Sequence, residues 1–247
     1  MVDTGLHLAT APWLVVPVLL IVVAAAVVQT GLGLGFGLVA APLLALLDPD
    51  LVPVPTLIVG FATATLAAFR ERDAIAWNEV WTGTGGRIAG AAIATVILAA
   101  LSDPDAFALV FGVMIGLAVA LSAVGPGLRF TRPRLVGMAA LSGLMGTITS
   151  VGAPPMAIVY QHRPGAEARP TLSAFFAIGC LVSLVGLWVA GWVGAHDLVL
   201  AAVMAPGMVA GVLVAGRLRG RFDARYRAAL LVVSGMAALV LILRGLW

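Results

Sequence analysis

Long apolar runs, broken by charge or by Pro and Gly, dominate the chain. They cover residues 12–28, 32–47, 52–69, 81–100, 105–124, 135–149, 150–162, 171–193, 198–216 and 227–243. A helix rises about 1.5 Å per residue and the hydrocarbon core of a bilayer is about 30 Å thick, so about 20 apolar residues cross it. Six of the runs reach or approach that length. The other four, 12–28, 32–47, 135–149 and 150–162, are short. They form two adjacent pairs with no charged loop inside either pair.

The polar positions orient these runs. Arg70 and Arg72 share one loop; Arg129, Arg132 and Arg134 share another; Arg163 and Arg169 follow, then Arg217, Arg219, Arg221, Arg225 and Arg227. The loops 48–51, 101–104 and 194–197 hold no Arg and carry Asp48, Asp50, Asp103 and Asp197. The positive-inside rule places the Arg-rich loops, near 73, 130, 166 and 222, in the cytoplasm. Loops 125–134 and 163–170 then lie on one side, so the pair 135–162 enters and leaves there. By the same reasoning the pair 12–47 returns to the outside. Each pair is predicted to be a hairpin whose short arms meet or bend near the midplane.

The fold class predicted is an all-α integral membrane protein made of two inverted repeats, each a broken helical hairpin plus three transmembrane helices. The first repeat, 1–124, has hairpin 12–47 and helices 52–69, 81–100 and 105–124. The second, 125–247, has hairpin 135–162 and helices 171–193, 198–216 and 227–243. Both termini are expected outside, in a cell (inner) membrane. Pro55-Thr56 and Pro170-Thr171 lie 115 residues apart, an offset shared by Asp48-Pro49 with Arg163-Pro164 and by Gly37 with Gly152. Gly90 aligns with Gly207 at a slightly larger offset. Inverted repeats with discontinuous helices are a transporter architecture, with the site at the midplane between repeats.

Composition agrees. Of 247 residues, 62% are hydrophobic and 10% charged, against about 45–50% and about 25% in soluble domains. The excess must face lipid. Mean hydropathy is +1.13. The basic residues are all Arg, and net charge is only +3. With no basic stripe or aromatic platform, nucleic acid is not an expected partner. The expected partners are the lipid bilayer and a small anionic substrate; a homo-oligomer is left open. The lone Cys180 forms no intrachain disulfide. No Lys or Arg precedes the first run, so the N-terminus lacks the positive region of a signal peptide and is expected to stay in the mature protein. His7, His162 and His196 form no metal-ligand cluster, and there is no HExxH or P-loop. No metal, cofactor or catalytic residue is expected.

The candidate chemistry lies at the two hairpin turns. The first reads Gln29-Thr30-Gly31-Leu32-Gly33-Leu34-Gly35-Phe36-Gly37. Glycines at spacing two are poor helix material and let backbone approach a ligand. Close helix packing by small residues is the competing reading. The second reads Gly146-Thr147-Ile148-Thr149-Ser150-Val151-Gly152-Ala153-Pro154-Pro155. Pro favours a helix's first turn, so a half-helix is predicted to start there with free N–H groups toward an anion. Hydroxyls at Thr147, Thr149 and Ser150 either add donors or bond back to their own helix. Gln161 ends this hairpin.

Arg87 lies six residues into the 81–100 run, where it either serves a site or snorkels to the cytoplasmic interface. Arg87 and Arg169 are candidate cytoplasmic-side anion contacts. No carboxylate falls at a predicted midplane, so an acidic proton relay is not visible. The expected substrate-binding set is Gln29, Thr30, Gly31, Gly33, Gly35, Gly37, Arg87, Thr147, Thr149, Ser150, Gly152, Pro154, Pro155, Gln161 and Arg169.

Residues 143–184 resemble the second-half motif of the TauE/SafE sulfite exporter family, also grouped as sulfonate-uptake-like permeases. The resemblance rests on Gly152-Ala153-Pro154-Pro155, Arg169-Pro170-Thr171-Leu172 and Phe175-Phe176. Ala153 stands where the family usually has a second Gly, which implies a less open backbone there. The stretch QTGLGLGFGLVAAPLLALL is similar to the family's N-terminal glycine-rich motif. The resemblance implies movement of sulfite, sulfonates or related sulfur oxyanions. The leading expectation is a secondary carrier. A membrane scaffold or assembly factor would not need polar, helix-breaking tips in both halves, and a membrane-embedded enzyme would need a nucleophile–base pair that the sequence lacks.

Overall fold

The computed structural model describes residues 12–33, 35–101, 103–123 and 129–217. The described residues form nine α-helices and no strand. They are α1 Val15–Leu32, α2 Gly37–Leu47, α3 Val54–Arg70, α4 Trp77–Ala100, α5 Pro104–Ala123, α6 Arg132–Thr149, α7 Ala153–Tyr160, α8 Gly165–Val189 and α9 Ala195–Arg217. Five stretches are long and apolar enough to cross a membrane: α1, Pro49–Arg70, α4, α8 and α9. The predicted helix 227–243, the loop at 222 and the arginines beyond Arg217 lie outside the described residues.

The hairpin arms differ from expectation in length. Both first arms, α1 and α6, have 18 residues, about 27 Å at 1.5 Å per residue. Only the return arms are short, with 11 residues in α2 and 8 in α7. Helix α1 continues through Gly31 because its turn is completed before the chain reverses at Gly33. Helix α6 starts earlier than its apolar run because Thr131 caps it, its hydroxyl accepting from Arg134 N at 3.4 Å, with Pro133 in the first turn.

The second hairpin closes on its starting end. The ring of Phe130, just before α6, lies 5.6 Å from that of Tyr160, the last residue of α7. The Arg-bearing loops collect at this same end. Arg163 pairs with Glu79 at 2.7 Å and lies over the Phe130 ring at 4.3 Å. Arg169 pairs with Glu71. The N–H of Ala76 donates to the Thr171 hydroxyl at 3.0 Å. The acidic loops meet at another surface, where Asp50, Asp103, His196 and Asp197 line one open pocket.

Packing is set by glycine. Helices α4 and α6 make the most extensive contact. A Cβ on Gly90 would sit 1.8 Å from the Ala140 carbonyl oxygen, and one on Gly143 would sit 2.3 Å from that of Arg87. Backbone meets backbone there, as small-residue crossings in membranes allow. The next most extensive pair, α1 with α9, uses the same device: Gly207 faces Leu19 O and Gly211 faces Val23 O. Helix α3 packs on α8. Large apolar side chains such as Leu20, Val96, Val185 and Leu213 point outward, where lipid would cover them. Trp77, Trp81 and Trp188 are exposed near helix ends, the usual level of an interfacial aromatic belt.

The contacts at the Arg-rich end carry a topological prediction. In a Cys180→Ser background, single cysteines at Asp73, Phe130 and Ala166 should react with an impermeant thiol reagent from the cytoplasmic side. Cysteines at Asp50 and Asp197 should react from the outside. Labelling of positions 130 and 166 from opposite sides would break the hairpin.

Candidate functional site

The first hairpin turns on two glycines. Gly33 has φ +69° and closes α1, its N–H donating to Gln29 O at 2.9 Å. Gly35 has φ +87°. Both values lie in the left-handed region that L side chains rarely adopt. The second hairpin turns at Ser150, whose φ of 65° is the one non-glycine positive value among the described residues. Its N–H reaches Gly146 O at 2.9 Å and its hydroxyl donates to Pro53 O at 2.9 Å. Helix α7 then starts at Ala153 with Pro154 and Pro155 in its first turn, as the sequence predicts.

The two tips interlock. A Cβ on Gly37 would lie 1.8 Å from the Ser150 carbonyl oxygen, so the start of α2 rests directly on the second tip. A Cβ on Gly35 would lie 2.7 Å from the Ala153 methyl group. The Ala153 methyl group thus fills the space Gly35 leaves.

Between the tips lies a cavity of about 20 Å³ whose lining includes Gln29, Gly35, Gly37, Thr56, Arg87, Ser150, Gly152, Phe176 and Cys180. A water needs about 10–15 Å³, so the conformation is closed around a water-sized space. No carboxylate lines it. Gln29 is 1% exposed, and neither atom of its amide has a hydrogen-bond partner. Leaving such a group unsatisfied costs about 1–3 kcal/mol, so a ligand that reached it would recover that cost.

Arg87 does not snorkel. It is 2% exposed and lies about 15 Å along α4 from Trp77 at 1.5 Å per residue. Glycines on neighbouring helices make its room. A Cβ on Gly152 would meet Nη1 at 2.8 Å, and one on Gly179 would meet Nε at 1.9 Å. Nη1 donates to the Ser142 hydroxyl at 2.8 Å and to Ser142 O at 3.3 Å. Nη2 reaches the Ser183 hydroxyl at 3.5 Å. The guanidinium lies 5.5 Å from the Phe175 ring centroid. Nε has no partner, and the described residues place no carboxylate in contact with this cation. Its immediate surroundings are hydroxyls, a carbonyl and a ring, so the site keeps a net positive charge.

The remaining expected residues divide by place. The Thr147 hydroxyl pairs with that of Ser183 at 2.8 Å. Thr149 bonds back to Met145 O at 2.7 Å and accepts from Val151 N at 3.1 Å, so its hydroxyl serves its own turn. Thr30, Gly31 and Gly33 face Arg169 rather than Arg87. Gln161 is exposed beyond α7. Sequence reasoning missed Ser142 and Ser183. Each is an isolated hydroxyl in an apolar helix, and nothing in the local pattern marks it. Thr56 also lines the cavity, but its hydroxyl donates to Leu51 O at 2.7 Å.

The cavity can therefore present an amide, a guanidinium N–H and backbone to a small anion, without a fixed carboxylate to repel it. A family model described as Sulfite exporter TauE/SafE matches residues 18–241. No curated protein and no solved structure matches the chain.

Proposed function

The chain belongs to the TauE/SafE sulfite exporter family, a family of membrane transporters for sulfur anions, and from that premise we propose that it is a secondary carrier of sulfite, a sulfonate or a related small sulfur oxyanion, working by alternating access around the two hairpin tips. The observation that carries the proposal is the pairing of two unsatisfied buried groups, the Gln29 amide and Arg87 Nε, in and beside one closed cavity between the tips. An anion leaving water needs replacement donors, and these groups are donors lacking partners.

The contact pattern supports the inverted repeat. The hairpin arm of the first half, α1, packs on α9 of the second; the hairpin arm of the second, α6, packs on α4 of the first. Gly207 and Gly90, aligned in the sequence, stand at the two crossings. Such an exchange of partners is what a two-fold relation between halves produces, and rocking one half against the other would open the tips to each side in turn.

The test is flux. Purified protein in liposomes should move sulfite or a small sulfonate faster than protein-free vesicles and should discriminate against carboxylates of similar size. A panel with no sulfur oxyanion moved above background would favour a scaffold role instead. Gln29→Leu sharpens the test. It removes an amide that no protein group satisfies, so thermal stability should hold or rise, while flux falls about tenfold, equivalent to about 1.4 kcal/mol. Unchanged flux in a folded Gln29→Leu protein would remove the amide from the site.

A further inference from the structure

The second concentration of polar groups lies at the Arg-rich end, where α3 ends and α8 begins. Arg169 holds Glu71 in a two-pronged pair: Nε donates to Oε2 at 2.8 Å and Nη2 donates to Oε1. Its third nitrogen, Nη1, reaches Gly31 O at 3.5 Å. The same arginine is the wall on which the first tip rests, for a Cβ on Gly33 would lie 3.0 Å from Arg169 Cγ. Beside the pair is a cavity of about 10 Å³ lined by Thr30, Ala67, Arg70, Glu71 and Arg169. The Thr30 hydroxyl is buried and has no partner. Arg70 gives one N–H to Val212 O at 3.4 Å.

Two cations, a spare hydroxyl and one carboxylate thus share a small space. We infer that this is a second anion-binding subsite, at which the Glu71 carboxylate is a tethered occupant that a sulfur oxyanion displaces on its way to or from the cavity at Arg87. A guanidinium fork accepts a sulfur oxyanion with the same two parallel bonds it makes to a carboxylate. Displacement also changes what Arg169 offers the first tip, because one side chain holds both Glu71 and the backbone around Gly31 and Gly33.

Two comparisons within the molecule single out this pair. The neighbouring pair, Arg163–Glu79, sits at the base of the second hairpin, with the Tyr160 hydroxyl donating to Glu79 at 2.7 Å and the Phe130 ring under Arg163, whereas Arg169 touches the first tip itself at Gly31 and Gly33. The second tip is held differently from the first, by the neutral bond from Ser150 to Pro53 O. An anion competes with a carboxylate for an arginine, but it has no means of competing with a hydroxyl–carbonyl bond. The lock on the first tip is therefore the one that an anionic substrate releases. The physiological meaning rests on the transporter reading; the binding chemistry does not.

The test uses the full chain in detergent, with inorganic sulfate as the probe and chloride at equal ionic strength as the control. Removing a tethered competitor raises apparent affinity by the reciprocal of the fraction of sites it left free, about tenfold for a competitor that occupies about nine sites in ten. Glu71→Gln should bind sulfate about tenfold more tightly than the wild type, and this gain should vanish in Glu71→Gln/Arg169→Gln. Equal affinity in the wild type and Glu71→Gln, or a gain that persists without Arg169, overturns the subsite. Should Glu71→Gln not fold, hydrogen exchange on the wild type decides: sulfate should speed exchange across residues 71–76 by releasing Glu71, and unchanged exchange overturns the subsite. Sulfite flux by the wild type is measured separately, so a protein that binds sulfate here but moves no sulfite would fail the transport reading alone.

Discussion

Arg87→Met is expected to reduce sulfite flux by about thirtyfold or more, because truncating a desolvated charge partner typically costs about 2–5 kcal/mol and each 1.4 kcal/mol is about a factor of ten. The folded protein should survive the change. Ser142 keeps its bond to Gly152 O at 2.6 Å, and Ser183 keeps its bond to Thr147 at 2.8 Å, so no hydroxyl is orphaned. Met fills comparable space with apolar atoms, and removing a buried charge that no described carboxylate contacts also removes its desolvation cost. Arg87→Lys should fall between the two in flux, since an ammonium keeps the charge but loses the planar set of donors. Arg87→Met with wild-type flux would make Arg87 a structural residue. A severe loss of stability would show that its bonds to α6 and α8 dominate over its desolvation.

Gly90→Val should prevent assembly of the bundle, or destabilise it by well over the 1–3 kcal/mol usual for overpacking. The new Cβ would lie 1.8 Å from Ala140 O, 2.7 Å from Ala140 C and 2.8 Å from Leu144 N. All three are backbone atoms, so no rotamer change relieves the clash and α4 must separate from α6. That separation would also dismantle the Arg87 contacts to Ser142. Gly85→Val is the matched control. It lies on the same helix with nothing within 4 Å of its Cβ position, and its stability should change by less than about 1 kcal/mol. Melting of the detergent-solubilised proteins separates the two. Equal melting points would contradict the backbone-on-backbone crossing.

Among the described residues the pattern of apolar runs anticipated the spanning helices near 54–70, 77–100, 165–189 and 195–217, because a bilayer forces length and composition onto any spanning segment. It also anticipated the restart at Pro154-Pro155 and the glycine reversal near Gly33 and Gly35, where backbone chemistry is local. What it left open was set by tertiary packing. Snorkelling was the leading reading of Arg87 in the sequence, since its position along α4 does not reveal that Gly143 of α6, Gly152 before α7 and Gly179 of α8 close around that face. Ser142 and Ser183 reach the guanidinium only because three helices cross there. Thr149 took the back-bonding alternative, a choice that depends on the turn at Ser150. Glu71 and Arg169, both expected in cytoplasmic loops, lie 98 residues apart, and their pairing has no local signal at all.

The proposed function puts a small sulfur oxyanion in the cavity between the tips on its way across the membrane, with Arg87 as its charged contact. Counterflow of labelled sulfite tests it most directly. Liposomes containing the purified protein are loaded with unlabelled sulfite and diluted into a trace of labelled sulfite. The wild type should accumulate label transiently above its equilibrium level, and Arg87→Met should not. Wild-type vesicles that behave like protein-free ones, or an Arg87→Met protein that shows the same overshoot as the wild type, would contradict it.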